Sequence, residues 1–242
     1  MLKDLYYKLK LYGPKRFIRY SLNEIWNVLY WHGIKKSYSQ KQEDLEIDKF
    51  LNHKKDGFYV DVGAYDPNRF SNTKRFYKRG WTGINIEPDI NNCRRFISDR
   101  KRDINLNIGI GNSNEKMRFY VFSPNTLSTF SKKETDEYLK QGFKIEKEIE
   151  VESMILKDVL DKYVKGAQID FFTIDTEGND LIVLQGNDWN KYRPTLLCVE
   201  VNTHGGNRSE AESLQEYLYS IEYKRVSDNG LNAIYLDNLN KK

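Results

Sequence analysis

Short apolar runs that finish at or beside a carboxylate, with amphipathic stretches between them, constrain this chain more than any other feature. Phe58 to Gly63, Trp81 to Glu87, Ile169 to Asp175 and Thr195 to Val201 each have the length and apolar content of a buried strand. Between them, Glu43 to Asn52, Asn72 to Arg79, Asp89 to about Arg100 and the segment after Gly178 carry helical patterns. Further strands are expected near Ile104 to Ile110 and Met117 to Phe122, and a strand end then a helix within Glu150 to Tyr163. Tyr223 to Leu236 breaks at Asp228-Asn229-Gly230, a hairpin signal. Strands alternating with helices and closing on a hairpin predict an α/β fold, a mostly parallel sheet with one late antiparallel strand. Ligands in such sheets collect beyond the carboxyl ends of the strands.

The strand ends carry the chemistry. After Val60-Asp61-Val62 come Gly63 and Ala64, small residues that let a ligand approach the backbone, while Asp61 can accept from an ammonium or hydroxyl. Only one glycine is present, so the phosphate cradle of a dinucleotide site is missing. Glu87 follows Asp61 by 26 positions, near the roughly 20 at which an acidic residue grips a ribose diol. Its alternative role is to support the next helix N-terminus. Asp175 closes an apolar strand and is expected to face the crevice, whereas Glu177 and Asp180 suit a helix start. Val199-Glu200-Val201-Asn202 is followed by His204-Gly205-Gly206, a loop over the same crevice.

Composition narrows the class. At 242 residues and 39% hydrophobic content, the chain can bury one core without disulfides. A net charge of +4 does not imply nucleic acid, and the basic run Arg94, Arg95, Arg100, Lys101 and Arg102 reads as a solvated helix face. Cys93 and Cys198 match no metal spacing, and Cys198 reads as a buried thiol. No apolar run is long enough to span a bilayer, and the first residues lack a signal peptide's features, so the cytoplasm is the default location. Residues 1–38 form a basic, aromatic extension with a Ser21-Leu22-Asn23-Glu24 capping box, and residues 39–242 the main domain. The extension is expected to be helices packed on the domain; the alternative is a peripheral surface for anionic lipid or a protein partner.

These clusters together resemble the FkbM family of methyltransferases. The resemblance rests on Val60 to Ala64, Arg69-Phe70-Ser71-Asn72-Thr73, Gly80 to Pro88 and Ile174-Asp175-Thr176-Glu177-Gly178. Ser39-Gln40 with Glu43-Asp44, and Val151-Glu152-Ser153 with Leu156 and Asp158-Val159-Leu160, are similar to further family segments. One departure is Tyr65-Asp66-Pro67, where the family commonly has a second glycine. The resemblance implies a Rossmann-like class I methyltransferase fold with a seven-stranded sheet. It implies S-adenosylmethionine as cofactor, with Asp61, Gly63, Ala64, Ser71, Asn72, Glu87, Pro88 and Ile108 as its binding residues. It also implies an oxygen acceptor, often a sugar hydroxyl on a glycan, glycolipid or secondary metabolite.

An alcohol is a weak nucleophile near neutral pH, so methyl transfer needs a base or a metal. Asp175 and His204 are the candidate bases, with Glu200 beside them. In a variant, Asp175 and Glu200, with Asn202, hold a hard divalent ion; the metal-free version is preferred. The competing functions are a nucleotide-dependent oxidoreductase and a non-catalytic binding or scaffold protein. Thr126 to Gly142 and Thr203 to Arg208 are the expected acceptor-facing loops.

Overall fold

The computed structural model describes residues 37–201 and 208–239. The expected extension, apart from its last residues, and His204 with Asn202 lie outside this range. Strands β1 (Phe58–Val62), β2 (Thr82–Ile86), β3 (Ile104–Leu106), β7 (Phe171–Ile174), β8 (Leu196–Glu200), β9 (Tyr223–Asp228) and β10 (Asn232–Asp237) make one seven-stranded sheet, ordered β3-β2-β1-β7-β8-β10-β9. From β3 to β8 all pairings are parallel, and β10 runs antiparallel to both β8 and β9. The late antiparallel strand follows from the Asp228-Asn229-Gly230 turn, whose Asn229 side chain accepts from the amides of Leu231 and Asn232.

Alternation along the strands gives the sheet two faces, because successive side chains point opposite ways. One face, with Val60, Val62, Ile84, Ile86, Phe172, Ile174, Leu197 and Val199, is covered by α5 (Leu156–Tyr163), α6 (Asp180–Gln185) and α7 (Arg208–Ser220). The other, with Tyr59, Phe171, Leu196, Cys198 and Ile234, is covered by α1 (Glu43–Phe50) and α2 (Lys74–Arg79), with Trp81 completing an aromatic cluster. Each large apolar side chain buried here contributes about 1.5–3 kcal/mol. On this second face the apolar row Tyr59, Phe171, Leu196 gives way, toward the carboxyl ends, to Asp61, Thr173 and Glu200. The sheet therefore turns polar where a ligand would sit.

Helix α3 (Ile90–Asp99) starts at Asp89, whose side chain caps the Asn91 amide. The strand expected near Met117 to Phe122 lies outside the main sheet. As β5 (Lys116–Ser123) it pairs with β6 (Lys144–Met154), which also pairs with β4 (Gly109–Ile110), in a separate three-stranded sheet. The segment read as a loop from Thr126 to Gly142 contains α4 (Lys132–Lys140), capped by the Ser131 hydroxyl accepting from the Glu134 amide. Tyr138 of α4 packs edge-on against Phe122 of β5 at 5.5 Å. No described helix is long and apolar enough to cross a membrane. Both cysteines are buried and free.

Candidate active site

The turn after β1 is built by backbone contacts. Gly63 has φ +80°, and a Cβ there would lie 1.7 Å from the Asp175 carbonyl oxygen, so the close approach is to the neighbouring strand end. The amides of Gly63 and Ala64 both donate to the Ile86 carbonyl (3.0 and 3.1 Å), and the Tyr65 amide donates to Glu87 Oε2 (2.8 Å). These N–H groups are already used, and the next helix does not begin until Lys74, so this turn offers no anion cradle of the dinucleotide kind.

Below the turn, Arg100 is 1% exposed, unlike Arg94 and Arg95 on the solvated face of α3 and Lys101 and Arg102 in the exposed turn after it. It donates to the Pro67 carbonyl through Nε and Nη2 (3.2 and 2.7 Å) and to Ser71 Oγ (3.1 Å), and lies beside Tyr59 and Asp103. The guanidinium fork thereby ties both ends of the loop from Pro67 to Ser71 to the fold. Ser71, expected at the cofactor, is not on the cleft wall. It is buried and also accepts from the Lys74 amide.

Asp61 and Glu87 are 6% and 5% exposed and line the cleft. Burial pushes the Asp61 carboxyl up to about 7, against the hydrogen bond from Thr73 Oγ1 (2.9 Å). Burial likewise raises Glu87 to about 8, opposed by the amides of Asp89 and Tyr65. Glu87 thus plays its alternative part as well, steadying the start of α3 through the Asp89 amide at 2.8 Å. Those two hydrogen bonds and a longer one from Asn92 (3.4 Å) leave acceptor capacity on the carboxylate.

Beyond the ends of β7 and β8, carboxylate oxygens of Asp175, Glu177 and Glu200 all lie within 4.8 Å of one another. Asp175 leaves the end of β7. Glu177 does not open the helix: it occupies a left-handed turn (φ 53°) with Gly178 (φ 103°). Strained backbone of this kind persists where surroundings hold it. Here the Tyr138 hydroxyl donates to Glu177 Oε2 (2.6 Å) and Thr129 Oγ1 donates to its carbonyl (2.8 Å). Asp180 is the residue at the helix start, accepting from the Thr176 amide and hydroxyl. Burial first, then repulsion, from Asp180, Asp61 and Glu43 on Asp175, chiefly from Asp175 on Glu177 and chiefly from Glu177 on Glu200, raises Asp175 to about 7 and Glu177 and Glu200 well above the carboxylate range. Glu200 is not on the wall but meets the two acids that are.

The cleft holds about 1060 Å³ of space, including open solvent, and the expected residues Asp61, Gly63, Ala64, Asn72, Glu87, Pro88, Ile108 and Asp175 line it. Sequence reasoning missed Gln40, Asn125, Glu177 and Asn232 as lining residues, whereas Thr126, Ser128 and Phe130 fall within the segment expected to face the acceptor. Asn125 lies immediately before that segment. Gln40 is positioned by the segment before α1, where Ser37 and Ser39 donate to Asp44 and the Ser71 amide reaches the Tyr38 carbonyl. The Ser131-x-x-Glu134 capping pattern was the available signal for α4 and for Tyr138 behind Glu177.

A family model described as the Methyltransferase FkbM domain matches residues 61–225. No curated protein matches the chain. Among solved structures, the METTL16 MTase domain is 10% identical with a TM-score of 0.44, covering 81% of this chain and 65% of its own. The human methyltransferase 10 domain containing protein is 8% identical with a TM-score of 0.42, covering 81% and 79%. The O-methyltransferase from Bacillus cereus in complex with SAH is 10% identical with a TM-score of 0.40, again covering 81% and 79%.

Proposed function

The chain belongs to the FkbM methyltransferase domain family, and from that premise we propose that it methylates a hydroxyl oxygen, of a sugar carried on a glycan, glycolipid or glycosylated metabolite, from S-adenosylmethionine. The observation that carries this reading is one cleft reached by two sets of acidic strand ends: Asp61 and Glu87 at the ends of β1 and β2, and Asp175 with Glu177 beyond β7.

The first set fits a cofactor with a ribose and an ammonium but no phosphates. Glu87 keeps acceptor capacity for a ribose diol, and Asp61 presents an acidic group for a cationic amine, while the turn amides that would serve a pyrophosphate are occupied. Ile108 and Pro88 add apolar wall to the same cleft. S-adenosylmethionine supplies a methyl group already activated by its sulfonium. The chain's part is then to align an acceptor oxygen with that methyl, and alignment can supply much of the rate.

The second set is suited to a hydroxylated acceptor. Asp175 and Glu177 accept from hydroxyl groups, and Asn125, Thr126, Ser128 and Gln40 add neutral polar partners on the same wall. Phe119 and Phe130, tilted at 49° with ring centroids 4.6 Å apart, add aromatic wall of the kind sugar rings pack on. The test is transfer of labelled methyl from S-adenosylmethionine to a panel of glycans, glycolipids, phenols and RNA. Labelling of carbohydrate acceptors, lost in Asp175→Asn, is the expected result. Labelling confined to phenols or RNA would overturn the choice of acceptor.

A further inference from the structure

We propose that Asp175, Glu177 and Glu200 bind one hard divalent cation, Mg²⁺ or Mn²⁺, beyond the ends of β7 and β8. The site has an oxygen-only donor set, which selects hard ions over zinc or copper. Oxygens sharing one ion at about 2.1 to 2.5 Å stand at most about 4 to 5 Å apart, and these three lie within 4.8 Å.

A separate observation points to a missing partner. Glu200 is 4% exposed, and its Oε2 has no hydrogen-bond partner among the described residues. A buried carboxylate oxygen without a partner is costly. No described lysine or arginine forms an ion pair with any of the three acids, and the charges that act most on Asp175 and Glu200 are other carboxylates. A dication supplies the absent positive charge. The hydrogen bond from Tyr138 fixes Glu177 through Oε2 and leaves Oε1 for the ion, the outer support that metal ligands commonly have. Sequence alone had left the ion and a metal-free site open and preferred the latter. Glu177, which lines the cleft beside Asp175, is the third ligand that tips the balance.

Such an ion would lower the proton affinity of a coordinated acceptor hydroxyl and fix its position. That use rests on the methyl-transfer reading above; the binding itself does not. The test is titration of the full chain with Mn²⁺, following the spin-resonance signal of the free ion, beside calorimetry with S-adenosylmethionine on the same sample. We expect one Mn²⁺ per chain, at least tenfold weaker in Glu200→Gln and unchanged in Glu152→Gln, an exposed acid on β6. Saturating Mn²⁺ should raise the melting temperature of the wild type and not of Glu200→Gln, whose own melting curve shows whether it is folded. Retention of the free-ion signal at millimolar Mn²⁺, or binding that survives Glu200→Gln, would overturn the site. If S-adenosylmethionine binds in that event, the methyltransferase reading stands without the metal. Mn²⁺ binding without S-adenosylmethionine binding would support the ion and count against the methyl-transfer reading.

Discussion

Gly63 has no room for a side chain, because the Asp175 carbonyl stands where its Cβ would go. Gly63→Ala forces a shift between β1 and β7 on top of a positive φ that alone costs about 1 kcal/mol or more. Urea unfolding should show a loss of more than about 2 kcal/mol, within the range of strongly destabilising changes; a loss below about 0.5 kcal/mol would contradict the packing. Glu87 and Asp61, with the buried acids Asp175, Glu177, Asp180 and Glu200 shifted in the same direction, set the pH behaviour of the ligand-free chain. In the unfolded chain such groups titrate near 4 to 4.5, whereas in the fold Glu87 sits at about 8 and Asp61 at about 7. Between those values the native state keeps protons that the unfolded state has released. Its stability therefore falls as pH rises from about 4.5 to 8. Melting temperatures measured at pH 6 and pH 8 check the sign. A ribose diol or an ammonium favours the charged carboxylates, so cofactor affinity should rise over the pH window from 6 to 8, with proton release visible in calorimetry across two buffers. Asp61, Glu87 and Asp175 were legible in the sequence because each terminates an apolar run. Arg100 was not, since it sits in a basic run and its burial depends on a loop arriving from Pro67 to Ser71.

Helix α4 shows how an element far from the sheet shapes the site. Its cap at Ser131 fixes the helix start, and Tyr138 two turns on carries a hydrogen bond to Glu177 across 39 positions of sequence. Ser131→Ala should cost about 1 kcal/mol of stability. Tyr138→Phe should cost a similar amount, about 1 to 2 kcal/mol for a hydrogen bond to a carboxylate, and should reduce methyl transfer more than S-adenosylmethionine affinity. Equal losses in both would place Tyr138 in cofactor binding instead. The capping pattern was present in the sequence, as was the spacing of Leu214, Tyr217, Leu218 and Ile221 that buries α7; both helices were readable but unread. The pairing of α4 with the turn at Glu177 was not readable, because no local pattern encodes contact between segments so distant. Strand β6 was seen only at its end, since Lys144 to Glu150 carry charges at most positions of a half-exposed strand.

At the scale of the molecule, one sheet face explains the site. Alternation places Asp61, Thr173 and Glu200 on the α1 side, continuing rows that are apolar lower down, so the core and the ligand cleft share the same strands. The strand ends that carry Asp61, Glu87 and Asp175 come together on one cleft because β1 is central, with β2 on one side and β7 on the other. Gly109 and Ile110 of β4, Phe119 of β5 and the segment from Asn125 to Phe130 add their part of the cleft wall from the smaller sheet and the loop after β5. The central claim is that Asp61 and Glu87 hold S-adenosylmethionine, and calorimetric titration tests it most directly. Wild type should bind S-adenosylmethionine and not NAD, and Glu87→Ala should lose the binding while keeping a cooperative melt. Binding of NAD, or undiminished S-adenosylmethionine binding in folded Glu87→Ala, would contradict it.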